Sequence, residues 1–401
     1  MLSNAILKAE RSPLFGVLCS IILAAILAYP LYCDGFDSFV VFGDEGDSNL
    51  PQLMYLKEMI MKQGISFWWY NSVSGTDYFG SAVVIKSNVL MFLLLPNYLA
   101  YLLCRYFAYA IGIYSTYILM RGYFNTNGIV SILTGFLFMS RLMYEPLLGH
   151  GWSMSLLPLA LYYFCKIDKV SIVTLSISAL YGFLFGLTGN FTQTFYMLYF
   201  VFLFCVILRA KEIRFWLLNF VACSFLHIIS QVPDILTAFS VAGISHRSED
   251  LYVLIRESVL SSAAVNTARA NLMTYVVNRQ FIIMHSAEVL GRHLFLIAPL
   301  VAIVFTKGNF RRTLVKLLLF YFVILYADAF TMNVVQTAIE FFSSVDGTQS
   351  KIIACGIDTR LWMMKPLIES VMMLVSMSYM MNYLGSLPSL QKPEMVRKNV
   401  E

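Results

Sequence analysis

Long uninterrupted apolar runs alternate with short polar connections along nearly the whole chain. Apolar windows fall at residues 13–32, 98–120, 127–144, 153–166, 170–188, 191–208, 215–232, 293–306, 313–330 and 361–383, which predicts about ten transmembrane helices. The runs lack the alternation of a barrel strand, so the expected fold is an all-α polytopic membrane protein. Two shorter stretches between the first two spans have a different pattern. Leu50 to Gln63 reads as an amphipathic helix, with Asn49 as N-cap, Gln52 at the capping-box position, Glu58 and Lys62 one turn apart, and Gly64 as its stop. Too short and polar to span, it is expected to lie along the interface. Ser87 to Leu95, stopped by Pro96, reads as a second interfacial or re-entrant piece.

Composition supports this pattern. The chain of 401 residues is 59% hydrophobic and 13% charged, with a mean hydropathy of +0.72, far from the balance of a soluble domain. The net charge of +5 does not point to nucleic acid, because the cations collect at span ends. Lys8, Arg11, Arg121, Lys166, Lys169, Arg209, Lys211, Arg214, Lys307, Arg311, Arg312, Lys392, Arg397 and Lys398 fall on alternate connections. The positive-inside rule makes these connections and both termini cytoplasmic. Residues 1–386 then form a single transmembrane domain with outer loops at 33–97, 233–292 and 331–360, and 387–401 form a cytoplasmic tail. The first span is read as a retained helix of the cell membrane, since no small-residue cleavage site follows it. The seven cysteines show no metal-ligand spacing and read as small buried hydrophobes.

Chemistry concentrates on the opposite face, where ATP and nucleotide sugars do not normally reach and for which the chain carries no P-loop or GxGxxG. Asp44, Glu45 and Asp47 precede the interfacial helix, and Trp68, Trp69, Tyr70 and Asp77 follow it. Such acids beside a bilayer act as a general base, bind a divalent cation, cap the helix or stay solvated. Glu145 and His150 in RLMYEPLLGHGW either join that cluster or satisfy local hydrogen bonds. Arg247 in SHRSED and Arg360 in GIDTRLWMMKP lie on the side where cations are disfavoured. They either bond a lipid phosphate with paired hydrogen bonds, or pair with acids and snorkel.

A first span, an outward acidic loop, a short helix ending in Glu58 and Met59, a glycine and then tryptophans together resemble the GT-C superfamily of polytopic glycosyltransferases. Within it, Asp47, Gln52, the segment FWWYNSVSGTDYFG and the following re-entrant piece look most like bacterial YfhO-type membrane proteins. This resemblance covers about Pro13 to Lys166. It implies a GT-C bundle with a catalytic Asp in the first outer loop: Asp47 by motif position, or Asp44 and Glu45 by match to the acidic pair of other members. The implied donor is a polyprenyl-phosphate sugar and the acceptor a cell-surface glycan or membrane lipid-linked saccharide. Arg247, Arg360, His150, Glu145, Gln52 and Trp69 are the expected substrate-binding residues, and Asp44 and Asp47 the expected ligands of a divalent metal, Mg or Mn. Against that resemblance the chain reads as short, and the large C-terminal outer domain of many such relatives is not expected in it. A surface-glycan polymerase and a lipid or saccharide transporter are the rival readings; the transporter expects polar or broken helices at mid-membrane.

Overall fold

The computed structural model of this chain describes residues 13–33, 50–63, 87–142, 152–188, 191–209, 213–241, 289–324 and 364–385, and these residues are helical apart from turns and short connections. In chain order the helices are α1 (Pro13–Ala28, followed by a 3-10 turn at Tyr29–Leu31), α2 (Leu50–Gln63), α3 (Ser87–Leu94), α4 (Asn97–Gly122), α5 (Gly128–Arg141) and α6 (Ser153–Lys166). They continue as α7 (Ile172–Thr188), α8 (Phe191–Leu208), α9 (Ile213–Val241), α10 (Val289–Phe305), α11 (308–324) and α12 (Lys365–Gly385). Every expected span coincides with one of these helices. The interfacial helix expected over Leu50 to Gln63 has those bounds, and the second one ends one residue early.

Helix ends are tied together across the bundle. At one end, here the lower, Arg209 Nη1 donates to the carbonyls of Cys165 (2.6 Å) and Ile167 (3.2 Å), Lys316 Nζ donates to Leu208 O (2.7 Å), and Tyr379 Oη donates to Phe124 O (3.2 Å). These bonds satisfy carbonyls at helix ends and beyond them, which have no partner within a helix. Near the other, upper end, Trp152 Nε1 donates to Cys104 O (3.2 Å) and Lys57 Nζ to Leu95 O (2.7 Å). The core is aliphatic and aromatic, with Tyr101, Tyr109, Phe138, Met139, Phe200, Phe320 and Met372 buried. Phe320 meets Phe200 and Phe204 edge-on, each with ring centroids 5.0 Å apart.

The tightest pairing joins α7 and α9, which run parallel with α8 between them in sequence. Ser178, Gly182 and Gly186 recur every fourth residue on α7, and Asn219, Cys223, His227 and Gln231 do so on α9, so each set forms one stripe. A Cβ added at Gly182 would overlap the backbone carbonyl of Cys223. That glycine lets the backbones approach, as small residues do between membrane helices. Across the seam Ser178 Oγ donates to Asn219 Oδ1 (2.9 Å) and Gln231 Nε2 to Gly186 O.

Several boundaries differ from expectation. α9 runs on to Val241, past the end expected at 232, so residues 233–241 are helical although they were expected to open an outer loop. Pro233 does not stop it, since a helix packed in a bundle tolerates proline. α10 begins at Val289 and α11 at 308, each some residues before its apolar window. Of the described helices two, Leu14–Leu31 and Asn97–Gly122, are long and apolar enough to cross a bilayer, and four more, Gly128–Arg141, Ile172–Thr188, Thr194–Leu208 and Leu217–Val232, are apolar but shorter.

Candidate functional site at the upper end of the bundle

α2 forms one side of an open cleft. Leu50, Leu53, Leu56 and Met59 are buried at helical spacing, whereas Glu58, Met61 and Lys62 are exposed, so the helix docks one apolar face and offers a mixed one. Lys62 donates to the Glu58 carboxylate, the pair read from their spacing. Packed against α3, which in turn packs on α4, α2 and the start of α4 enclose about 790 Å³ lined by Pro51, Met54, Tyr55, Lys57, Glu58, Met61, Lys62 and Asn97. That is the size of a small-molecule site, roughly 300–1,000 Å³.

A buried ionic cluster lies near the same end. Arg141, the last residue of α5, places Nη1 2.6 Å from Glu369 Oε2 on α12, and Tyr321 Oη on α11 donates to Glu369 Oε1 at 2.8 Å. The Glu369 side chain is 1% exposed and that of Arg141 19%. A carboxylate so deep is tolerable only with a cation and a donor on it. Arg105 on α4 is fully buried, donates to Tyr109 Oη at 2.9 Å, and lies over the Tyr101 ring. Between α8 and α9, Thr194 Oγ1 and His227 Nε2 are 3.3 Å apart, both buried.

Asp44, Glu45, Asp47, Trp69, Glu145, His150, Arg247 and Arg360 lie outside the described residues. Gln52 is in the first turn of α2, and its side chain is outside them too. Among the described residues no three His, Cys, Asp or Glu side chains gather to hold a metal. Of the cysteines, Cys104, Cys165, Cys205 and Cys223 are buried as expected, Cys19 is half-buried and Cys33 exposed.

No family model, curated protein or solved structure matches this chain.

Arg141, Glu369, Tyr321 and Arg105 were missed from the sequence, although Glu369 and Arg105 each interrupt an apolar run. A charge within such a run is itself a signal. The lower end is chemically different. Among the described residues Lys169, Lys307, Arg311 and Arg312 are exposed there beside one acid, Asp168, which pairs with Arg209 at 3.2 Å. In the turn after α4, burial pushes the Tyr123 phenol above its ordinary value, and neighbouring Cys165 and Cys205 add to this against Arg209. Tyr123 therefore stays neutral at physiological pH.

Proposed function

We propose that this chain is a polytopic integral membrane glycosyltransferase of the GT-C kind, with its upper end outside the cytoplasmic membrane and its basic lower end, with both termini, inside. The multi-pass reading is supported by where polarity sits. Ile172, Val173, Leu180, Leu217, Leu218, Val221, Phe225, Leu300 and Val304 are exposed on helix flanks, while Ser178, Asn219, His227 and Gln231 are buried. Apolar outside and polar inside suits lipid as solvent.

The observation that carries the transferase reading is α2. Docked by its apolar face, it begins three residues after Asp47 and flanks a cleft at the end where the acidic segment joins the bundle. In the proposed reaction the Asp47 carboxylate takes the proton of an acceptor hydroxyl on a surface glycan or lipid-linked saccharide. That oxygen bonds to the anomeric carbon of the sugar as its bond to the polyprenyl phosphate breaks, and the phosphate leaves with the electron pair. Arg247 and Arg360 hold the departing phosphate. Mg or Mn bound by Asp44 and Asp47 would supply further charge neutralisation. Asp47→Asn and Asp44→Asn are tested separately for sugar transfer in membranes. A loss of about a hundredfold or more is expected for Asp47→Asn in a normally folded protein, and full activity in both variants rejects the assignment.

One observation favours a second reading. The polar stripe of α9 and the buried Arg105 give the bundle interior the polar character a saccharide or lipid transporter would need. Movement of labelled lipid-linked sugar across proteoliposomes without covalent transfer would decide for it.

A further inference from the structure

The cations of the lower end divide into two sets. Arg121 donates to Thr126 O (3.4 Å), Lys166 lies over the Tyr162 ring, Arg209 caps the end of α6 and Lys316 the end of α8. The fold uses these four. Lys307, Arg311 and Arg312 are exposed, and among the described residues they make neither an ion pair nor a side-chain hydrogen bond. They sit together in the connection from α10 to α11 and the first turn of α11.

That connection is short and defined. Thr306 and Lys307 alone separate the two helices, Thr306 Oγ1 donates back to Ala302 O (2.6 Å), and Gly308 takes a left-handed φ of 63° that suits glycine. The cations are thus held in one place. Residues 1–12, 210–212 and 386–401 continue from lower helix ends outside the described residues. By sequence they hold two cations against one acid, one against one, and three against two, so none brings an excess of acid to this face.

Above the cations the surface is apolar. Arg311, Val315 and Leu319 recur every fourth residue and are all exposed, so they form one stripe up α11, with Arg312 beside its foot. Val304 and Phe305 are exposed where α10 enters the turn. From Arg311 to Leu319 the stripe rises about 12 Å, close to the roughly 15 Å of hydrocarbon in one leaflet. Unpaired cations below an apolar stripe of that depth complement an anionic head joined to an acyl chain.

We propose that the α10–α11 turn binds an anionic phospholipid of the adjoining leaflet, with the phosphate held by Lys307, Arg311 and Arg312 and an acyl chain along Val315 and Leu319. Guanidinium suits the phosphate because it offers paired donors. The site rests on the multi-pass reading above, does not depend on the transferase one, and lies at the end of the bundle away from the proposed catalytic acids.

The test titrates the full chain in mild detergent with phosphatidylglycerol and with phosphatidylcholine, whose head has no net charge, and counts bound lipid by native mass spectrometry. Phosphatidylglycerol is expected to bind better. Arg311→Gln and Arg312→Gln are each expected to weaken it about fivefold, the effect of one cation at a charged lipid surface, whereas Lys62→Gln, at the other end, leaves it unchanged. Glycerol 3-phosphate, a head without chains, should not displace the lipid at matched ionic strength. Because these side chains are exposed and unpaired, the lipid-free variants should melt with the unsubstituted chain, and added phosphatidylglycerol should raise the melting temperature of the double variant Arg311→Gln, Arg312→Gln less than that of the unsubstituted chain. Equal binding of the two lipids, unchanged affinity in both arginine variants, an equal loss in Lys62→Gln, or displacement by glycerol 3-phosphate would each overturn the proposal. A chain that retains neither lipid rejects the multi-pass reading as well. Asp47→Asn should bind phosphatidylglycerol as the unsubstituted chain does, so loss of transfer and loss of binding remain separate results.

Discussion

Among the described residues Glu369 is the acid most fully enclosed. With Arg141 Nη1 at 2.6 Å and the Tyr321 hydroxyl at 2.8 Å, its charge is balanced by one neighbour and hydrogen-bonded by another. Arg141→Met strands a buried carboxylate, and a loss of about 3 kcal/mol is expected, seen as a fall in melting temperature in detergent. The double variant Arg141→Met, Glu369→Leu should recover most of it, because removing both charges also removes the desolvation cost. A double variant as unstable as the single one would mean the pair is not what Arg141 supports. Only one member of this cluster carried a signal in the sequence, and it was not read. Glu369 stands out as a charge four residues into the last helix, but Arg141 looks like any cation at a helix end, and Tyr321 like one more aromatic in an apolar run. Which of them meet is set by the packing of α5, α11 and α12, elements far apart in the chain.

Among elements, the α7–α9 seam separates two glycines that look equivalent. A Cβ at Gly182 meets backbone, the Cys223 carbonyl, whereas at Gly186 it meets first the Ser230 side chain, which can rotate. Gly182→Ala is therefore expected to cost about 3 kcal/mol and Gly186→Ala about 1, compared by thermal unfolding of purified variants; equal costs would contradict the geometry. The seam was present in the sequence as residues recurring every fourth position, but scanning for apolar length does not ask which face a residue takes. Local signals fared better. α2 begins after Asn49 and its last residue precedes Gly64, and α3 ends just before Pro96, since caps and stops act over a few residues. The end expected at 232 followed apolar length alone, and α9 runs through Pro233 past it.

For the whole molecule, the two ends differ in charge and in chemistry, and their sidedness is directly testable. Single cysteines replacing Lys62 and Lys307, in a chain otherwise freed of cysteine, should react with a membrane-impermeant maleimide from opposite sides: position 62 in intact cells, position 307 after permeabilisation. Labelling of both from one side would reject the proposed topology. The order of helices was readable because each carries its own apolar run, whereas the acids proposed for catalysis belong to segments with no such run. The parallel pairing of α7 with α9 also has a consequence for biosynthesis. The strip a ribosome makes first, Ser178, Gly182 and Gly186, exposes to lipid little more than a hydroxyl and bare backbone. The amides of Asn219 and Gln231 and the His227 imidazole come last, so they leave the insertion machinery with a finished surface already waiting to receive them.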